Sequence, residues 1–239
     1  MNRLFNLAVD PTDLGMSLLR AGTTEELHSV IAIPQAQTHE RIWTKPKLSD
    51  FDVQRRDGWE FEEYDKGILM HGVPATSNTN SLRKLGKTLP AGVSKVRWNA
   101  RLLRYTGAAS WYNQGIYIKY ANKRLNLLSF GKDAYDFQLY LQTYRDDDMF
   151  DVVTPHEFVR YGANEIWMRG EYERATNYLR FYFSPDGYFW QPLTTMATAE
   201  VTDAVEVGMY CNPNLGGTNA ATFRLAAATS FQHFEMEYE

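Results

Sequence analysis

The chain has 239 residues, 44% of them hydrophobic, enough for one full-sized core with no disulfide or metal staple. Its net charge of −4 argues against a dedicated nucleic-acid or anionic-membrane binder, which carries a basic face, and no run of about 18 apolar residues offers a membrane span. The single Cys211 cannot pair internally and, beside the apolar run 205–210, reads as a small buried hydrophobe.

Residues 1–9 alternate apolar and polar types and then meet Pro11, which is too short and too interrupted for a signal-peptide core. Synthesis in the cytoplasm is therefore expected, with a virion as the destination if the chain leaves as part of a particle. Pro11, Thr12 and Asp13 can cap a short helix over residues 14–19, which Gly22 ends. Thr23 to Glu26 can open a second turn, leading to the strand-like Val30, Ile31, Ala32 and Ile33, closed by Pro34. Residues 1–48 read as an arm too short to bury a core alone, and residues 49–239 as one β-sandwich domain.

From there the pattern is strand, turn, strand. Trp59, Glu60, Phe61 and Glu62 pair with Gly67, Ile68, Leu69 and Met70 through Asp65 and Lys66. Val96, Trp98, Ala100 and Leu102 alternate with Arg97, Asn99 and Arg101, the clearest period-2 signal in the chain. Ile116, Ile118 and Tyr120 form the next inward set, followed by a strand through Leu125, Leu127 and Ser129. Phe137, Leu139 and Leu141 alternate with Gln138, Tyr140 and Gln142. Ile166 and Met168 begin a strand, and Leu179, Phe181 and Phe183 are the inward set of its successor. Ser184, Pro185, Asp186 and Gly187 make a turn with glycine at positive φ, after which Tyr188, Phe189 and Trp190 are expected to return as a strand. Val205, Val207 and Met209 make another, and Phe234, Met236 and Tyr238 the last. Many short strands with turns between them predict an all-β sandwich or barrel, with Trp98, Leu102, Phe181, Val207 and Phe234 in its core.

The aromatic strand ending in Ser184-Pro185-Asp186-Gly187, the following Trp190, the strand 205–210 and the Phe-rich closing segment 231–238 resemble the concanavalin A-like lectin and glucanase superfamily. Within it they are most similar to the small bacterial members labelled as regulators of enolase. The resemblance implies a jelly-roll β-sandwich, in which some members bind sugars, some hydrolyse them and many only mediate contacts.

Glucanases of that superfamily carry Glu-x-Asp-x-x-Glu on one strand. The nearest match is Glu200, Asp203 and Glu206, whose spacing differs by one, and an odd offset sends strand side chains to opposite faces. Glu171 and Glu173 share a face, about 6–7 Å apart at Cα, a placement that suits a retaining carboxylate pair in principle. They flank a hairpin turn, however, and read as solvated. Asp146, Asp147 and Asp148 invite a calcium reading, yet without a glycine and further ligands they read as a solvated turn. His28, His39, His71, His156 and His233 show no paired metal spacing, and no serine or cysteine sits in a nucleophile elbow, so neither metal nor cofactor is expected.

The binding candidates are aromatic: Trp111 and Tyr112 in a loop, and Tyr140 and Tyr144 beside Gln142 on the face opposite Leu139 and Leu141. Sugar rings stack on aromatic planes while amides supply oriented hydrogen bonds. The competing reading is that Tyr140 and Tyr144 simply pack, under the arm or against the second sheet. The balance leans away from catalysis, toward a structural or adhesion module of a larger assembly, a phage virion among the examples. Its arm would mediate self-association or contact other subunits, and a glycan is its expected ligand. The alternative is a freestanding carbohydrate-binding or glycan-hydrolysing protein of the same superfamily.

Overall fold

Strict alternation over Val96, Trp98, Ala100 and Leu102 puts four apolar side chains on one face of a ten-residue strand, and all four are buried. The same logic builds the rest of the molecule. A computed structural model describes residues 44–54, 59–72, 82–104, 112–132, 137–147, 149–160, 162–197, 203–213 and 227–239. Residues Thr44–Glu239 form one compact unit.

The first sheet contains, in spatial order, β1 (Asp52–Gln54), β4 (Arg83–Thr88), β13 (Ala204–Pro213), β6 (Tyr112–Tyr120), β7 (Leu125–Lys132), β8 (Phe137–Tyr144) and β9 (Phe150–Arg160). The second contains β12 (Gln191–Ala197), β11 (Tyr178–Ser184), β10 (Glu165–Glu173), β5 (Lys95–Arg104), β14 (Ala227–Tyr238), β3 (Gly67–Gly72) and β2 (Glu60–Tyr64). Every pairing is antiparallel. The described residues thus form an all-β jelly-roll sandwich of two antiparallel sheets. Among the described residues no helix is long and apolar enough to cross a membrane.

The inner faces share one core. Trp98, Leu102, Phe181, Val207 and Phe234 are at most 4% exposed, and burying each such side chain contributes roughly 1.5–3 kcal/mol. Trp98 meets Phe181 edge-on at 6.1 Å, and lies where a Cβ on Gly170 would sit 2.2 Å from its ring, so that glycine makes room for the indole. Cys211 is wholly buried.

Several elements depart from the sequence expectation. Strands β4 and β9 carry no simple apolar alternation and are not foreseen. Val205 is not an inward partner of Val207, because an irregularity between Ala204 and Glu206 resets the face and makes Ala204 the buried residue. Tyr188, Phe189 and Trp190 are not a strand. Ser184 Oγ accepts from the amides of Asp186 (3.3 Å) and Gly187 (2.8 Å), and Asp186 Oδ1 from those of Tyr188 (2.8 Å) and Phe189 (3.0 Å). Those bonds hold the segment in a bend and leave Tyr188 and Phe189 57% and 76% exposed. Gly187 has the expected positive φ, 78°. Tyr238 is 51% exposed, beyond the end of the core. The arm proposed for residues 1–48 lies outside the described residues except for its last five. Of these, Thr44 belongs to the sandwich: its amide donates to His233 Nδ1 (3.0 Å) and its carbonyl accepts from Phe234 (3.1 Å).

Candidate functional site

Register assigns the outer face of the first sheet residue by residue. Tyr210 of β13 faces Lys84 on one side and Gly115 on the other, and Gly115 faces Ser129, then Tyr140. In a parallel row, Glu206 faces Thr88 and Lys119, followed by Leu125 and Tyr144. Between them run Gly86, Gly208, Tyr117, Leu127 and Gln142. Leu82, Tyr117, Leu125, Leu127, Tyr144 and Tyr210 form a second apolar cluster here, separate from the main core.

At one end of this face five ionisable groups meet. The β8–β9 turn is tied over the sheet by a hydrogen bond from the Leu82 amide to the Asp147 carbonyl, 3.2 Å. It delivers the Asp147 carboxylate between two lysines, with Lys84 Nζ at 2.7 Å and Lys119 Nζ at 3.0 Å. Lys84 Nζ also donates to Glu206 Oε1 at 3.2 Å, and Tyr117 donates its hydroxyl to the same oxygen. One ammonium therefore bridges both carboxylates, and it lies 5.1 Å from the Tyr117 ring centroid. Gly86 makes the arrangement possible: a Cβ there would sit 2.7 Å from Glu206 Cδ and 2.8 Å from the Tyr117 hydroxyl.

The Lys84 side chain is 1% exposed, whereas Lys119, Asp147 and Glu206 keep 19%, 15% and 16%, so the cluster has a closed floor and an open side. Burial opposes ionisation of Asp147, but Lys84 and Lys119 together outweigh it and hold the carboxyl below the ordinary aspartate range. Burial likewise opposes the charge on Lys119, and the bond to Asp147 outweighs it, raising that ammonium above its usual value. Burial first, and then Glu206, push the Tyr117 hydroxyl well above a normal phenol. These shifts hold Asp147 as an anion and Lys119 as a cation beside a neutral phenol.

The sequence-derived candidates fall elsewhere on the face or outside it. Trp111 lies outside the described residues, and Tyr112 opens β6 opposite Pro213. Tyr140 and Tyr144 do lie opposite Leu139 and Leu141, but they are 7% and 0% exposed. Their rings are packed rather than presented for stacking, and their hydroxyls belong to a polar network. Tyr140 donates to Asn113 Oδ1, and Tyr144 accepts from Asn212 Nδ2 at 3.0 Å. Alongside, Ser129 Oγ donates to Gln142 Oε1 (2.9 Å) and shares a 2.6 Å bond with the Tyr210 hydroxyl.

Of the acidic candidates, Glu200 lies outside the described residues and Asp203 is exposed against Arg174 at 2.8 Å. Asp148 also lies outside them. Asp147 corrects the solvated-turn expectation, because its carboxylate is half-buried and ion-paired. Glu171 and Glu173 sit on the second sheet, facing Arg97 at 2.8 Å and Lys95 at 3.6 Å. They belong to an open groove of about 430 Å³ lined by charged side chains with Tyr178 and Tyr238. The five-residue cluster went unread because its members come from β4, β6, β13 and a turn, and no spacing along the chain links them.

No protein-family profile matches the sequence, and no curated protein does. The fold is nevertheless shared with solved structures. A functionally unknown protein from Saccharomyces cerevisiae superposes with a TM-score of 0.58 at 16% identity, covering 81% of this chain and 98% of its own. A Bacteroides ovatus protein described as xyloglucan PUL GH43B gives 0.56 at 14% identity, over 80% of this chain but only 37% of that one. The carbohydrate binding module CBM66 from Bacillus subtilis gives 0.50 at 10% identity, over 81% and 99%. At these identities the likeness is one of fold.

Proposed function

We propose that the chain is a non-catalytic glycan-binding sandwich whose ligand engages Lys119, Asp147 and Glu206 on the outer face of the first sheet. The observation that carries this reading is the desolvated acid–base cluster with its open side. Burying ions costs about as much as their attraction returns, so such a network is weak evidence for stability and points to another role. It offers oriented donors and acceptors on a rigid floor, which is what a polyhydroxylated ligand needs. Tyr140 and Tyr144 brace the same face from farther along the sheet, and Trp111 and Tyr112 are retained as the stacking residues. The shared fold with a carbohydrate binding module supports the ligand class by analogy.

Hydrolysis is disfavoured on physical grounds. A glycosidase needs one carboxyl held protonated beside an ionised one. Here Lys84 and Lys119 keep Asp147 ionised, and Glu206 accepts from both Lys84 and Tyr117. In the fuller form of the proposal the module works inside a larger assembly, a virion among the candidates, with residues 1–48 as its contact.

Glycan-array screening followed by calorimetry on the intact chain, Glu206→Gln and Lys119→Ala tests the site. Both substitutions are expected to weaken binding at least tenfold, and binding unchanged in both rejects the cluster. Glycan turnover abolished by Glu206→Gln replaces the proposal with the hydrolytic alternative. Mass in solution tests the assembly: an oligomer that dissociates on deletion of residues 1–37 supports it, and a monomeric intact chain removes it.

A further inference from the structure

We infer that the β2–β3 hairpin, at the β2 end of the second sheet, carries a divalent-metal site of zinc-type chemistry formed by Glu60, Glu62 and His71. β2 is the terminal strand of that sheet among the described residues. Register places Glu60 directly across from His71, and Glu62 two residues along on the same face. One ligand atom from each of the three lies within 4.8 Å of the others.

Two further observations turn this juxtaposition into a site. His71 Nε2 is shielded from solvent and makes no hydrogen bond among the described residues, although Glu62 Oε1 is only 3.1 Å away. The ring nitrogen thus faces a carboxylate with no N–H aligned to it, an arrangement that a cation between the two would satisfy. The second is a contrast within one sheet face. Glu165, Glu171 and Glu173 each meet a cation, Arg101, Arg97 and Lys95. Among the described residues, Glu60 and Glu62 pair with no lysine or arginine. Two adjacent carboxylates and an imidazole that meet no lysine or arginine among the described residues make a donor set rather than a salt-bridge ladder.

The donor types select the metal. Imidazole nitrogen suits zinc, bound at about 2.0–2.1 Å, and carboxylate oxygen binds it at about 2.0–2.2 Å, whereas calcium takes oxygen ligands. Closing from the observed spacing to such distances needs only side-chain rotation of the two exposed glutamates. On its other side His71 faces the small side chain of Ala228 on β14. Three protein ligands leave one coordination position open.

Calorimetric titration of the intact chain with Zn²⁺ alone tests this. The expected result is one zinc per chain lost, or weakened tenfold or more, in His71→Ala and in Glu60→Gln, with unchanged far-UV circular dichroism. Glu60→Gln preserves side-chain shape, so a binding loss there is not a folding effect. No zinc binding by the intact chain, or equal affinity in both variants, overturns the site. Calcium binding as tight as zinc binding overturns the zinc assignment.

Discussion

The two outer faces of the sandwich use the same residue types to opposite ends. On the second sheet, Arg180, Glu171, Arg97 and Glu237 stand directly across from one another on β11, β10, β5 and β14, so each charge meets its opposite on the next strand. These pairs are open to water, with Arg97 51% and Lys95 53% exposed, and such contacts contribute about 0–1 kcal/mol each. On the first sheet the pairing is not confined to neighbouring strands. Asp147 reaches from a turn to lysines on β4 and β6, which flank β13, and Lys84 is all but excluded from solvent. Neighbouring-strand pairing in water follows from any alternating charge pattern. Cross-strand pairing under cover demands a particular turn, a glycine and a tyrosine, which is why the first face is the functional candidate.

The largest test of that contrast is Lys84→Met. It removes the cation shared by Asp147 and Glu206, leaving Asp147 with Lys119 alone and Glu206 with only the Tyr117 hydroxyl. The expected loss is about 3 kcal/mol in urea unfolding, the low end of the range for breaking a buried pair, because both carboxylates keep some solvent. A loss under about 1 kcal/mol would place the cluster with the exposed ladder.

The acid limb of stability sharpens the same point. A carboxyl whose folded pKa is depressed contributes stability that is present above its unfolded value, near pH 4, and lost as the pH falls through the folded value. Asp147 is such a group. Lys119 has the opposite sign: its raised pKa contributes stability that is present below its unfolded value, near pH 10, and lost as the pH rises through the folded one. Asp147→Asn should therefore lower the unfolding midpoint at pH 7 and narrow the gap to the native chain at pH 3. A gap that stays constant with pH would mean Asp147 is not ionised in place.

How far the sequence carried depended on which face a residue serves. Leu139 and Leu141, or Val96 to Leu102, declare themselves because one face is apolar and the period is two. β4 does not, since Arg83-Lys84-Leu85-Gly86-Lys87 reads as solvent-exposed while Arg83 and Lys84 are both 0% exposed. Arg83 lies over the Trp59 ring at 5.5 Å, and Lys84 is held by two carboxylates. Tyr188 and Phe189 misled in the other direction: their composition favours a strand, but the Asp186 carboxylate takes their amides and turns them outward. The alternation of Tyr140 and Tyr144 was legible; their burial was not, because period two says which face a side chain takes and nothing about what covers it.

A smaller effect is expected from Tyr210→Phe, which deletes only the hydroxyl that Ser129 shares. Ser129 keeps its bond to Gln142, so the cost should be about 1 kcal/mol by denaturant unfolding. A loss of several kcal/mol would mean the tyrosine network, rather than the charged cluster, dominates that face.

The smallest effect belongs to the ladder itself. Glu171 accepts from Arg97 Nε at 2.8 Å and from the Tyr182 hydroxyl at 3.2 Å. In Glu171→Gln the amide oxygen can still accept from Tyr182, and Arg97 is exposed enough for water to replace what it loses. Double-mutant analysis of Glu171→Gln with Arg97→Ala should give a coupling of about 0.5 kcal/mol, shrinking further in 1 M salt, where screening shortens to about 3 Å. The corresponding cycle of Asp147→Asn with Lys84→Met should be several times larger and should resist salt, because water and ions reach that pair only from its open side. Equal coupling energies in the two cycles, or equal salt sensitivity, would dissolve the distinction between the faces. The case for a binding site on the first sheet would fall with it.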